Sequence, residues 1–353
     1  MLARTNICSI TILVSLLGAC AEVPTRPSSA PQPVDTFADF VVKLDRLDAV
    51  AMGSAVAAAA LCKTNVQATY GFELHDKSQY ARLFKGKYLE PAVQHYGLRD
   101  GVWVRYSHPT LPAGLAGLRA RARIISLDGE PLDNKTADDA NEILWRFERR
   151  REGPLHVVFA DAEARVRELD LYSVPACKYP VVLVPSNVVY AYTDGTKIVI
   201  TTGMLDFTAS DAELALVIGH EIAHNALGYV DDMLLRNILN SIFTAHAGQQ
   251  PAVATTSAEA SFSKEAESQA DYVGLYIAAR AGYDISGIGQ LWGRFARYQT
   301  PVNAPAFAVT HPHPSNPERL EAFRSTLREI RKKQERDEPL LPEALPIRPI
   351  AQP

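Results

Sequence analysis

Residues 211–228 read DAELALVIGHEIAHNALG, and this stretch decides the fold of the chain. Asp211 stands as an N-cap, Leu214, Leu216, Val217, Ile222 and Ala223 supply apolar positions, and Gly228 follows as a C-terminal stop. The pattern predicts one helix, buried on one side and open on the other. Positions four apart share a helix face. His220 and His224 therefore present two imidazoles to one metal ion, with Glu221 beside any water that ion holds. Upstream, Lys197–Gly203 is a β-branched run after the Asp194-Gly195 turn pair, so a hairpin is expected just before the helix. The edge of that hairpin is suited to an extended peptide.

The pentapeptide His220-Glu221-Ile222-Ala223-His224 is the HExxH arrangement of zinc metallopeptidases, two ligands and a general base on one turn. Catalytic tetrahedral zinc takes three protein ligands and keeps one position open. Residues 261–283, SFSKEAESQADYVGLYIAARAGY, are helical in pattern and end at Gly282. Within them Glu267 and Asp271 stand four apart, while Glu265 competes as a ligand but has no Asp four residues on. Further along comes His311-Pro-His-Pro-Ser-Asn-Pro-Glu-Arg319, the opening of a polar helix.

These three motifs, in this order, resemble the CAAX-prenyl-protease/HtpX-type zinc metallopeptidases over roughly residues 180–325. The resemblance implies one Zn2+ per chain, held by His220, His224 and Glu267. Asp271 would orient a histidine ligand by accepting its remaining N–H. The His-Pro-Ser-x-x-x-Arg segment selects His313 over His311, either as an oxyanion stabiliser or as a fourth ligand of a latent enzyme. Arg319 either pairs with an active-site carboxylate or begins a solvated helix face. The chemistry implied is peptide-bond hydrolysis with Glu221 as general base and no covalent intermediate.

The N-terminus carries Arg4, an apolar run from Ile10 to Leu17, then Gly18-Ala19-Cys20. This resembles a bacterial lipoprotein signal at 1–19, cut before Cys20, which would carry the lipid; Ala21 in place of Asp favours the outer membrane, facing the periplasm. Residues 20–36 are Pro/Ser-rich and suit a flexible tether. With Cys8 removed and Cys20 acylated, Cys62 and Cys177 remain as an even pair in an oxidising compartment, bridged or as two buried thiols. Residues 229–247 read as an amphipathic helix, and no segment after the signal is a membrane span.

Between residues 71 and 175 lies chain enough for a second unit. Gly101-Val-Trp-Val-Arg-Tyr106 alternates as a strand, Leu111-Pro-Ala-Gly-Leu-Ala-Gly-Leu118 follows, then Arg123-Ile-Ile-Ser-Leu-Asp-Gly129. The pattern resembles a PDZ domain of the bacterial protease type, with a helix at about 135–150, strands at 154–160 and 165–171, and a degenerate carboxylate-binding loop at Tyr96-Gly97-Leu98-Arg99. The usual Gly-Asp is replaced by Arg121-Ala122. Such a unit implies a peptide ligand.

The expected fold is α+β: a mainly helical zincin core with a small β-hairpin or sheet (37–70 and 176–335), an inserted PDZ-like domain, and a Pro-rich tail at 336–353. The formal charge is −4, and the Arg clusters at 119–123 and 148–151 are isolated, which disfavours a nucleic-acid surface. The expected function is an envelope endopeptidase acting on unfolded or misassembled proteins. The alternative is a PDZ-containing chaperone-like or assembly lipoprotein with a latent zinc site.

Overall fold

The computed structural model describes residues 36–62, 65–150, 153–228, 264–298 and 317–343. Cys20, His311, His313, the signal, nearly all of the tether, the 229–247 segment and the last ten residues lie outside the described residues. The elements run α1 (Phe37–Ala58), β1 (Val66–Thr69), β2 (Phe72–His75), α2 (Lys77–Arg82), α3 (Leu89–Tyr96), β3 (Val102–Ser107) and α4 (Pro112–Leu115). Next come β4 (Arg123–Leu127), β5 (Glu130–Pro131), α5 (Ala137–Arg150), β6 (Leu155–Ala160), β7 (Val166–Leu171), β8 (Val174–Cys177) and β9 (Val181–Val184). The chain continues through β10 (Ala191–Thr193), β11 (Ile198–Thr201), α6 (Thr202–Phe207), α7 (Asp211–Ala226), α8 (Lys264–Arg280), α9 (Gly289–Tyr298) and α10 (Pro317–Glu335). Helix and sheet are mixed throughout, and no helix among the described residues is long and apolar enough to cross a membrane.

Two large hydrophobic clusters, beside two smaller ones, divide the labour among the described residues. One joins α1 to α7, α8 and the β9–β11 sheet through Leu47, Val50, Ile200, Leu214, Ile218, Ile277 and Phe323. The other fills the sheet ordered β2-β3-β4-β6-β7 beneath α5, through Val102, Val104, Ile124, Leu127, Ile143, Leu155 and Val157. The period-2 burial of Leu155–Ala160 and the heptad-like burial of α5 make that packing possible, since each element turns one apolar face inward. At the junction, β1 pairs antiparallel with β8, and a Cys62–Cys177 disulfide with a Cα–Cα distance of 5.7 Å closes the neck.

Two local expectations change, and the strand order adds a third observation. The cap of α7 is Ser210, whose hydroxyl accepts from Glu213 N at 3.3 Å, so Asp211 is the first helical residue. Between the hairpin and α7 stands α6, capped by Thr201. The Tyr96–Arg99 segment precedes β3, and β3 is paired with β2 on one side and β4 on the other. A strand with both edges occupied cannot accept a peptide strand; the order ends instead at β2 and β7.

Candidate metal centre

Helix α7 crosses α8 at two glycines. A Cβ on Gly219 would stand 2.8 Å from the Gly274 carbonyl oxygen, and a Cβ on Gly274 would stand 2.8 Å from His220 N. Only a hydrogen at both positions lets the backbones come this close. The crossing carries His220 and His224 from one helix to Glu267 and Asp271 on the other.

The four side chains meet in the interior. His224 and Glu267 are 0% exposed, Asp271 2% and His220 5%. His220 Nδ1 lies 2.9 Å from Asp271 Oδ1. A carboxylate only accepts, so this bond sets the proton on Nδ1 and turns the Nε2 lone pair inward. His220 Nε2 stands 2.9 Å from His224 Nε2, and Glu267 lies 3.4 Å from the second ring and 3.6 Å from the first. Ligands about 2.0–2.1 Å from a tetrahedral ion stand about 3.3 Å apart, so these spacings fit one zinc-sized ion. His220, His224 and Glu267 are the His/Cys/Asp/Glu group with metal-ligand spacing among the described residues. Glu265, the competing ligand, is exposed.

Arg319 belongs to the same cluster rather than to a solvated face. Its Nε and Nη2 donate to the two oxygens of Asp271 at 2.8 Å each, and Nη1 lies 2.7 Å from Glu267 Oε2. Burial pulls its guanidinium toward the neutral form, but the charges of Asp271 and Glu267 outweigh that and hold it above its ordinary value. Glu221, Glu267 and Asp271 set three carboxylates against this one guanidinium. A divalent cation would balance the formal difference, a second sign that the donor set fits a metal.

Glu221 is 2% exposed on the turn that carries His220. Burial, and after it the Glu221 charge, raises the phenol pKa of Tyr190 just before β10; burial, then Asp194 and then Glu221 raise that of Tyr192 within β10. Asn225, one turn on, accepts from Thr193 Oγ1 at 2.7 Å and pins β10 to α7. The hydrogen-bonding strand order β10-β11-β9 leaves β10 at its end, beside the helix turn that bears Glu221.

Sequence reading missed the Gly219–Gly274 crossing, the tyrosine pair and Trp292, whose ring centroid lies 4.4 Å from Arg319 Cζ. Glycines next to a metal motif are a readable signal for close helix approach; the tryptophan carries none.

A buried His-His-Glu cluster with a neighbouring glutamate on an HExxH helix defines a metallopeptidase centre. Residues 161–327 match the family model described as Peptidase family M48. Over 94 residues the chain is 40% identical to the mitochondrial metalloendopeptidase OMA1 of Arabidopsis thaliana, covering 25% of this chain and 19% of that protein. A 103-residue stretch is 33% identical to the mannose-1-phosphate guanylyltransferase catalytic subunit beta of Dictyostelium discoideum, covering 29% of this chain and 23% of that protein. The chain thus spans about a fifth of the length of the curated relatives it matches. Among solved structures, the HtrA3 PDZ domain bound to a phage-derived ligand is 15% identical, covering 31% of this chain and 86% of that one, with a TM-score of 0.21. The match spans just under half of the chain and includes His220, His224 and Glu267, the buried cluster that suits a metallopeptidase.

Proposed function

We propose that this chain is a zinc-dependent endopeptidase of the bacterial cell envelope, anchored through lipid on Cys20, probing unfolded or misassembled proteins on the periplasmic face of the outer membrane. The observation that carries the catalytic part is the convergence of His220, His224 and Glu267 on one point, with Glu221 on the same helical turn. When bound, zinc would polarise the scissile carbonyl and acidify a coordinated water. Glu221 accepts the proton of the attacking water and returns it to the leaving amine. Asp271 holds His220 in the ligating tautomer, and Arg319 holds Glu267 and Asp271 in place.

In this reading residues 71–175 are a PDZ-like module inserted in a mainly helical protease, and its peptide ligand would add to an end strand of its sheet. The lipoprotein-type signal supports the compartment, as does a disulfide that an oxidising space would preserve.

Zinc content and casein cleavage, measured on wild type beside Glu221→Gln, test the reading. Zinc is expected in both proteins and cleavage only in wild type. Full cleavage by Glu221→Gln removes Glu221 as base. Zinc in both with cleavage in neither favours the chaperone-like binding role.

A further inference from the structure

The guanidinium of Arg319 serves two carboxylates from one plane, and the orientation of that plane matters to both. The Nε/Nη2 edge takes both oxygens of Asp271 while Nη1, on the other side, takes Glu267. A rotation about Cδ–Nε would swing both Nη groups and disturb the contacts to both carboxylates. An Arg side chain brings about 2 kcal/mol of rotamer entropy to such an arrangement, so unassisted it would sample the broken geometries.

Trp292 of α9 supplies the missing constraint. Its ring centroid lies 4.4 Å from Arg319 Cζ, close enough for the cation to rest against the indole π-face. The indole is itself wedged. Its ring stands edge-on to Phe323 at 6.1 Å and 82°, and tilted against Phe295 at 5.7 Å. Phe323 follows Arg319 by one turn on α10, so a single helix face presents both the cation and the ring that brackets the indole. Trp292 is half-buried on α9, between the Phe295 and Phe323 rings and Arg319. Arg319 is 4% exposed, so the contact forms in a desolvated setting where such pairs are strongest.

We propose that Trp292 is a positioning residue for the metal centre. It fixes the plane of Arg319, Arg319 aligns Glu267 and Asp271, and Asp271 sets the tautomer of His220. Trp292 acts in this proposal through Arg319 and supplies no ligand atom of its own. The inference rests on the reading of His220, His224 and Glu267 as a zinc site, and it extends that site one layer further, onto a helix outside the three sequence motifs.

The test is zinc affinity of the full chain, by competition with a chromogenic chelator, with cleavage not needed as a readout. Trp292→Leu is expected to bind zinc about tenfold more weakly, and Trp292→Phe, which keeps a smaller aromatic face, about threefold more weakly. The decisive comparison uses the milder variant in two backgrounds. Trp292→Phe should weaken zinc binding measurably in the wild-type background and have no further effect when Arg319→Lys has removed the planar group. Because Trp292→Phe preserves packing, this cycle stands even where Trp292→Leu fails to fold. Equal effects of Trp292→Phe in both backgrounds would show that the indole acts independently of Arg319 and would overturn the proposal. Wild-type affinity in a folded Trp292→Leu would overturn it too. Wild-type protein that binds no zinc would remove the metallopeptidase reading along with it, whereas wild-type binding with insensitive Trp292 variants sinks only this inference.

Discussion

Asp271 accepts from His220 Nδ1 with one oxygen and shares both oxygens with Arg319. Its charge therefore acts in two directions at once. Asp271→Asn keeps the shape but loses the charge and offers one acceptor oxygen where three donors converge. Zinc affinity should fall about 10- to 100-fold with the fold retained, checked by chelator competition and circular dichroism. Unchanged affinity would demote Asp271 to a packing residue. A second residue-scale effect sits away from the metal. His75 is 2% exposed, with Nδ1 2.9 Å from the Tyr80 hydroxyl. Burial first, then the Arg105 charge, depress its ring to about 3, with Asp76 opposing. The unfolded chain takes up this proton near pH 6.5 and the folded chain does not, so stability is lost as pH falls from 6.5 toward 3 and is unaffected above 6.5. Between pH 6.5 and 5 the loss is about 2 kcal/mol. Carboxylates of the chain also begin to take up protons in this window. The comparison must therefore be a difference: His75→Gln should lose about 2 kcal/mol less than wild type in urea melts at the two pH values. Parallel behaviour of the two proteins would refute the assignment.

At the scale of elements, the site depends on how α7 and α8 touch. Each glycine at the crossing excludes a side chain from a space less than 3 Å deep. Gly274→Ala would force the helices apart, at a cost of about 1–3 kcal/mol. The displacement would also carry Glu267 and Asp271 away from the imidazoles. A lowered melting temperature together with weaker zinc binding is the expected outcome; thermal melts and zinc titration at one temperature separate the two effects. Full retention of both would mean that the helices tolerate a wider crossing. Helix α10 is docked onto α8 at its far end as well, where Glu329 accepts from Tyr272 at 2.7 Å and also from Tyr276. This second attachment keeps Arg319 within reach of the ligands from another direction.

At the scale of the whole molecule, α1 links the two hydrophobic clusters. Arg105 of β3 pairs with Asp45 at 3.0 Å and with Asp48, both on α1. On the same helix Lys43 reaches Asp206 at 2.8 Å, and Arg46 reaches Asp211, the first residue of α7, at 2.8 Å. The Cys62–Cys177 bridge spans a sequence separation of 115 at the foot of this arrangement. In the chain-entropy account a loop of that length contributes about 4–5 kcal/mol. Replacing both cysteines by serine should lower the denaturation midpoint accordingly, and wild type under reducing conditions should approach the variant. A variant as stable as oxidised wild type would show that the bridge adds nothing to the pairing of β1 with β8.

The sequence by itself determined the local chemistry: the helix bearing His220, Glu221 and His224, the carboxylate pair four apart on a second helix, and the alternating strands between Val102 and Leu171. These are periodic features, written within a few turns of backbone, and so they can be read without neighbours. The Asp four residues after Glu267 already favoured it over Glu265, but tertiary structure alone decided that Arg319 faces inward and that β3 is an interior strand. It alone set Trp292 against Arg319 and made Gly219 and Gly274 a contact. The physical reason is common to all of these. Each depends on the angle and distance between elements far apart in the chain, which are set by how whole faces pack and not by any short run of residues.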